Sequence, residues 1–142
     1  MKRNTFLTAL MVLSTIALFT TSWKTIPISP KKQWVSITGT YDFSTFPNTT
    51  GSYVTSGALN LSGYTTMYVG SRANGNVAHC VVTLYAPDGT ITIHQQCEFS
   101  TNPPKGQWRI VSGTGAYTNL KGNGSLLMPP NQEAMTGYIY NQ

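Results

Sequence analysis

The stretch Trp108-Arg-Ile-Val-Ser-Gly-Thr-Gly-Ala-Tyr-Thr-Asn-Leu-Lys-Gly-Asn-Gly-Ser-Leu-Leu-Met128 holds two apolar strands joined by a bend, with glycines at 113, 115, 122 and 124. Glycine accepts positive φ and lets another backbone come close, which a sheet requires where it turns a corner or curls to meet itself. The pattern predicts a barrel or a strongly curved sheet. It speaks of shape and not of reaction.

The rest of the chain repeats the same theme. Val35, Ile37, Gly39, Tyr41 and Phe43 alternate with Ser36, Thr38, Thr40 and Asp42, the period of two of a half-buried strand. Further strands are expected at 53–61, 64–71, 77–86, 90–99, 108–113, 125–128 and 133–140, separated by turn-forming segments such as Asn48-Thr-Thr-Gly51, Ala73-Asn-Gly-Asn76 and Pro87-Asp-Gly89. Eight strands with local connections, and no segment suited to a helical crossover, predict an all-β fold: an eight-stranded antiparallel up-and-down barrel. Only 9% of the 142 residues are charged, and the Ala, Glu, Lys and Leu that favour helices are scarce.

The first residues read differently. Lys2 and Arg3 precede an apolar run from Phe6 to Phe19, and Thr20-Thr-Ser22 offers small residues for cleavage. Residues 1–22 are therefore expected to be an export signal, too short to span a bilayer, which takes about 20 apolar residues. Residues 23–34, with two prolines and no periodicity, are expected to form a flexible leader, and 35–142 a single domain. The expected location is outside the cytoplasm, secreted or periplasmic, without stable membrane insertion after cleavage. The formal net charge of +5 drops by two without Lys2 and Arg3, and the remaining basic residues are scattered. That distribution argues against a nucleic acid partner, which needs a basic track.

Cys80 and Cys97 lie on the two arms of the hairpin around Pro87-Asp-Gly89. A four-residue loop at 87–90 would set Cys80 opposite Cys97 and place Ala78, Cys80, Val82, Leu84, Ile91, Ile93, Cys97 and Phe99 on one apolar face. In an oxidising compartment this register predicts a Cys80–Cys97 disulfide, stabilising by roughly 2 to 4 kcal/mol. The other face would carry His79 opposite Glu98. A carboxylate can orient a histidine as a general base, which makes this pair the candidate for catalysis, although such pairs are routine on solvated sheet faces. His79 and His94 lie far apart with no third ligand, so no metal site and no cofactor is expected. Eight tyrosines are present, and Tyr138 and Tyr140, on one face of the last strand, are candidates for lining an apolar ligand pocket.

The run Ile110-Val-Ser-Gly-Thr-Gly-Ala-Tyr117, followed by Leu120, Gly122 and Gly124, resembles the motif of the dirigent and allene oxide cyclase barrel-like proteins. Similar segments occur in small exported lipocalin-like proteins. The resemblance covers about one-seventh of the chain and implies a calycin-like, eight-stranded barrel around a central cavity. Its motif residues are structural, and no stretch here matches the family's acidic and aromatic activity residues, so no catalytic role is carried over. Three expectations follow: a barrel binding a small, largely apolar ligand in its interior; a cyclase-like or dirigent-like enzyme acting by substrate positioning; and a filled barrel working through its outer surface, with homo-oligomers among its forms.

Overall fold

The computed structural model describes residues 27–73 and 75–142; the segment expected to be an export signal lies outside them. Eight strands follow one another: β1 (Gln33–Asp42), β2 (Asn48–Gly57), β3 (Ser62–Ala73), β4 (Val77–Ala86), β5 (Gly89–Glu98), β6 (Lys105–Gly113), β7 (Leu120–Leu127) and β8 (Gln132–Asn141). Each pairs antiparallel with the next, and β1 pairs with β8, closing an up-and-down barrel in chain order. Single 3₁₀ turns at Phe43–Thr45 and Gly115–Tyr117 are the helical structure among the described residues. Closure gives each of the eight strands a partner on both sides.

Alternation sorts the side chains. Val35, Ile37 and Tyr41 of β1, Val82 and Leu84 of β4, Ile91 and Ile93 of β5, and Met135 and Ile139 of β8 point inward and are buried. Threonines, serines and tyrosines face outward between them. Several strands start earlier than the turn-forming residues suggested, most of all β2 at Asn48, β6 at Lys105 and β7 at Leu120. The polar start of β2 is accommodated because Thr49, buried, donates its hydroxyl to the carbonyl of Met67 at 3.2 Å. β7 borders Trp108 of β6. This indole lies inside the barrel, paired in register with Gly124, which in turn pairs with Gly137. A Cβ on Gly137 would fall 2.8 Å from Cζ2 of Trp108 and 2.2 Å from the carbonyl oxygen of Asn123. Gly137 thus makes room for one large ring, whose Nε1 donates to the carbonyls of Ser125 and Thr136 at 3.0 and 3.2 Å, while Gly124 lets the backbones of β7 and β8 come close.

One end of the barrel is sealed. Ile28, Leu59, Tyr53, Tyr117 and Leu120 are buried there, and part of the segment expected to be a flexible leader is built into this plug. The Asn141 side chain donates to the carbonyl of Ile28, and β1 already begins at Gln33. The Gly-Thr-Gly element belongs to the same end. Thr114 hydroxyl accepts from the amide of Thr90 at 2.9 Å, and the amide of Ala116 donates to Asp88 at 2.9 Å, so the β6–β7 connection docks on the β4–β5 turn. Gly115 (φ 59°) and Gly89 (φ 145°) meet in that contact, where a Cβ on either would lie about 2 Å from a carbonyl oxygen of the other loop.

The β4–β5 turn corrects the expected register. Gly89 at positive φ pairs directly with Ala86, so Pro87 and Asp88 alone form the loop. Partners move by two residues, and a shift of two leaves every side chain on its expected face. Cys80 is therefore opposite Gln95, Cys97 opposite Ala78, His79 opposite Gln96 and Glu98 opposite Val77.

Candidate functional site

The other end of the barrel is open, framed by the connections at 43–47, 99–104 and 128–131. Their sequences, Phe43-Ser-Thr-Phe-Pro47, Phe99-Ser-Thr-Asn-Pro-Pro104 and Met128-Pro-Pro-Asn131, are rich in aromatic residues and proline. These loops surround a cup of about 300 Å³ whose wall includes Phe43, Phe46, Phe99, Pro104 and Met128, with Val69 and Cys80 also lining it. The cup is almost wholly apolar. Its rim is held by local geometry: Asp42 accepts from the amide of Ser44 at 2.9 Å, fixing the turn that carries Phe43. That bond also holds the exposed Asp42 carboxyl below the usual range.

Inside the barrel near this end sits a group of polar side chains that the sequence reading did not assemble. Glu133, at the start of β8, is 0% exposed. Tyr41 donates its hydroxyl to Glu133 Oε2 at 3.0 Å, and Gln95, from β5, donates Nε2 to Oε1 in a short hydrogen bond. Gln95 also contacts Met135 Sδ at 3.3 Å and accepts from the Cys97 thiol at 4.0 Å through Oε1. The network thus connects the β1–β8 junction with β5. Desolvation by burial raises the Glu133 carboxyl to about 7, against the lowering effect of the Tyr41 and Gln95 hydrogen bonds. Burial, and then the charge of Glu133, pushes the Tyr41 phenol far up, so Tyr41 stays a neutral donor. Near neutral pH the interior consequently holds one carboxyl poised between its acid and its carboxylate.

Glu133 carried a signal in the sequence. It is in phase with Met135 and Ile139, Gln95 with Ile93 and Cys97, and Tyr41 with Val35 and Ile37, so period two alone places all three inside.

The expected site residues fall elsewhere. Cys80 and Cys97 are two buried thiols, near one another but not bonded, and the observed register sets them on a diagonal and not face to face. The hydrogen bond with Cys80, followed by burial, raises the Cys97 thiol strongly. His79 and Glu98 stand on the outer wall and do not pair with each other: the strands bring His79 to Gln96, and Glu98 accepts from the Ser100 hydroxyl at 2.6 Å. His79 and His94 border an outer depression with Arg109, and no group of metal-binding side chains occurs among the described residues. Tyr138 and Tyr140 also point outward, since Met135 and Ile139 take the inward phase of β8. The tyrosine inside this end is Tyr41.

None of the sequence models of known protein families matches this chain, and a comparison with curated proteins finds no relative.

Proposed function

We propose that the protein is an exported carrier or receptor for a small, largely apolar molecule, held at the open end of the barrel, and that it is kin to the dirigent and allene oxide cyclase barrel-like proteins. The observation that carries the reading is the cup of about 300 Å³, lined by Phe43, Phe46, Phe99 and Met128 and left open where the opposite end is plugged. Ligand sites are concave, mostly apolar and largely pre-formed, with few polar groups nearby, and the proline-rich rim keeps this one in shape. Native mass spectrometry of protein purified from its source should find an added lipid-like mass. The neutral fluorophore N-phenyl-1-naphthylamine should brighten with the wild-type protein and stay dark with Met128→Trp, whose larger ring fills the cup. A bare chain that leaves the fluorophore dark removes the proposal.

A second reading, a cyclase-like enzyme that acts by positioning, is favoured by one observation: a titratable carboxyl, Glu133, inside the barrel with a phenol donor on it. Cyclisation and isomerisation conserve mass. A ligand recovered from Glu133→Gln protein with the same mass but a different chromatographic retention from the wild-type ligand marks turnover, and identical ligands mark a binder.

A further inference from the structure

A concavity of about 570 Å³ on the outer surface has no part in the cup. It runs over β1, β8, β7 and β6, and the backbone of Gly124 and Gly137 forms its floor. Two aromatic residues stand at one side, Trp34 on β1 and Tyr138 on β8, directly opposite one another in register and 49% and 51% exposed. Trp34 is held in place, for its ring packs on Gly57, where a Cβ would come 2.7 Å from Cε3. From the other strands Gln107, Asn123, Ser125 and Thr136 project into the same groove. Among the described residues none of these four side chains has a hydrogen-bond partner, while the carbonyls of Ser125 and Thr136 are taken by Trp108.

The chemistry of this lining is selective. Amides and hydroxyls both donate and accept, so they match a ligand covered in hydroxyl groups. Exposed indole and phenol rings offer flat apolar faces with a polar edge, which suit a ring that has a C–H face and a hydroxyl rim. No charged side chain lines the groove, which counts against phosphate, carboxylate-rich and nucleic acid ligands, all of which need cations. An apolar molecule would leave the four polar side chains unmatched. From this combination we infer that the outer wall between β1 and β6 is a binding site for a neutral oligosaccharide, with Trp34 and Tyr138 as stacking platform and Gln107, Asn123, Ser125 and Thr136 as hydrogen-bonding groups. The groove is open along the wall, so the ligand is a stretch of a longer glycan as readily as a free sugar.

The test is a titration of ¹⁵N-labelled protein with a panel of neutral hexasaccharides built from glucose, N-acetylglucosamine, mannose and xylose. At least one member is expected to shift the amide resonances of β6, β7, β8 and the start of β1, with a dissociation constant of about 1 mM or tighter. Trp34→Ala and Tyr138→Ala should each weaken that binding at least tenfold, Tyr138→Phe should retain the stacking and most of the affinity, and Met128→Trp in the cup should leave it unchanged. Far-ultraviolet circular dichroism shows whether each variant is folded, and Asn123→Ala serves if Trp34→Ala is not. A panel in which no sugar moves these resonances overturns the inference. So does binding that survives both aromatic substitutions, and so does a preference for sulfated or carboxylated glycans over all the neutral ones.

Discussion

Glu133 makes the folded protein sensitive to pH in a direction opposite to that of most carboxylates. Its ordinary value of 4.5 rises to about 7 on folding. Between those limits the folded chain binds more protons at this group than the unfolded chain, so stability falls as pH rises through the window. Below pH 4.5 both forms are protonated and the group contributes nothing; above 7 the full penalty stands, roughly 3 kcal/mol at 1.36 kcal/mol per unit. Urea unfolding at pH 4.5, 6 and 7.5 should show this decline in the wild type, and Glu133→Gln, which cannot ionise, should flatten it. A decline that persists in the variant assigns the effect to another group. Trp108 invites a second prediction. Its buried ring packs against Gly137, so Trp108→Ala opens a cavity and should cost about 3 to 5 kcal/mol. Gly137→Ala forces a methyl toward both the ring and the Asn123 carbonyl and should cost about 1 to 3 kcal/mol, read from the same denaturation curves.

The β4–β5 hairpin shows which features of an element its sequence carries. Val77 to Ala86 was readable to the residue, because the inward Ala78, Cys80, Val82 and Leu84 recur at every second position, and the faces of β4 and β5 were readable with it. The pairing was not, since it depends on whether Gly89 ends the loop or starts the strand, a choice fixed by its φ of 145° and by its contact with Gly115 of a distant turn. The consequence falls on the sulfurs. They meet across a diagonal of the hairpin and not face to face, yet close enough for a hydrogen bond between the two thiols. Protein purified without reductant and then unfolded in guanidinium should return two thiols to Ellman's reagent, and none if an oxidising compartment has joined the adjacent pair. The candidate site was hidden for a related reason. Glu133 and Gln95 obey the inward phase of their strands, but they meet only because β8 and β5 both line a closed wall, and separation in sequence says nothing of that meeting.

Closure itself is the step the chain does last on physical grounds. Seven of the eight strand pairings join neighbours in sequence, and the eighth, β1 with β8, joins the two ends of the domain, pairing Ile37 with Met135. Loop-closure entropy grows with the separation of the partners, and non-local contacts form late when local ones can supply the nucleus. The wall can assemble as a meander of hairpins, with β4–β5 the tightest, before the seam zips and brings Tyr41 to Glu133. Ile37→Val should cost about 0.5 to 1.5 kcal/mol and Met135→Ala about 2 to 5 kcal/mol. Stopped-flow refolding and unfolding should show that loss almost entirely as faster unfolding, with folding rates near the wild type, whereas Val82→Ala in the β4–β5 hairpin should slow folding measurably. Seam variants that slow folding as much as the hairpin variant would place β1–β8 pairing in the nucleus, and the barrel would then have to close before its hairpins are secure.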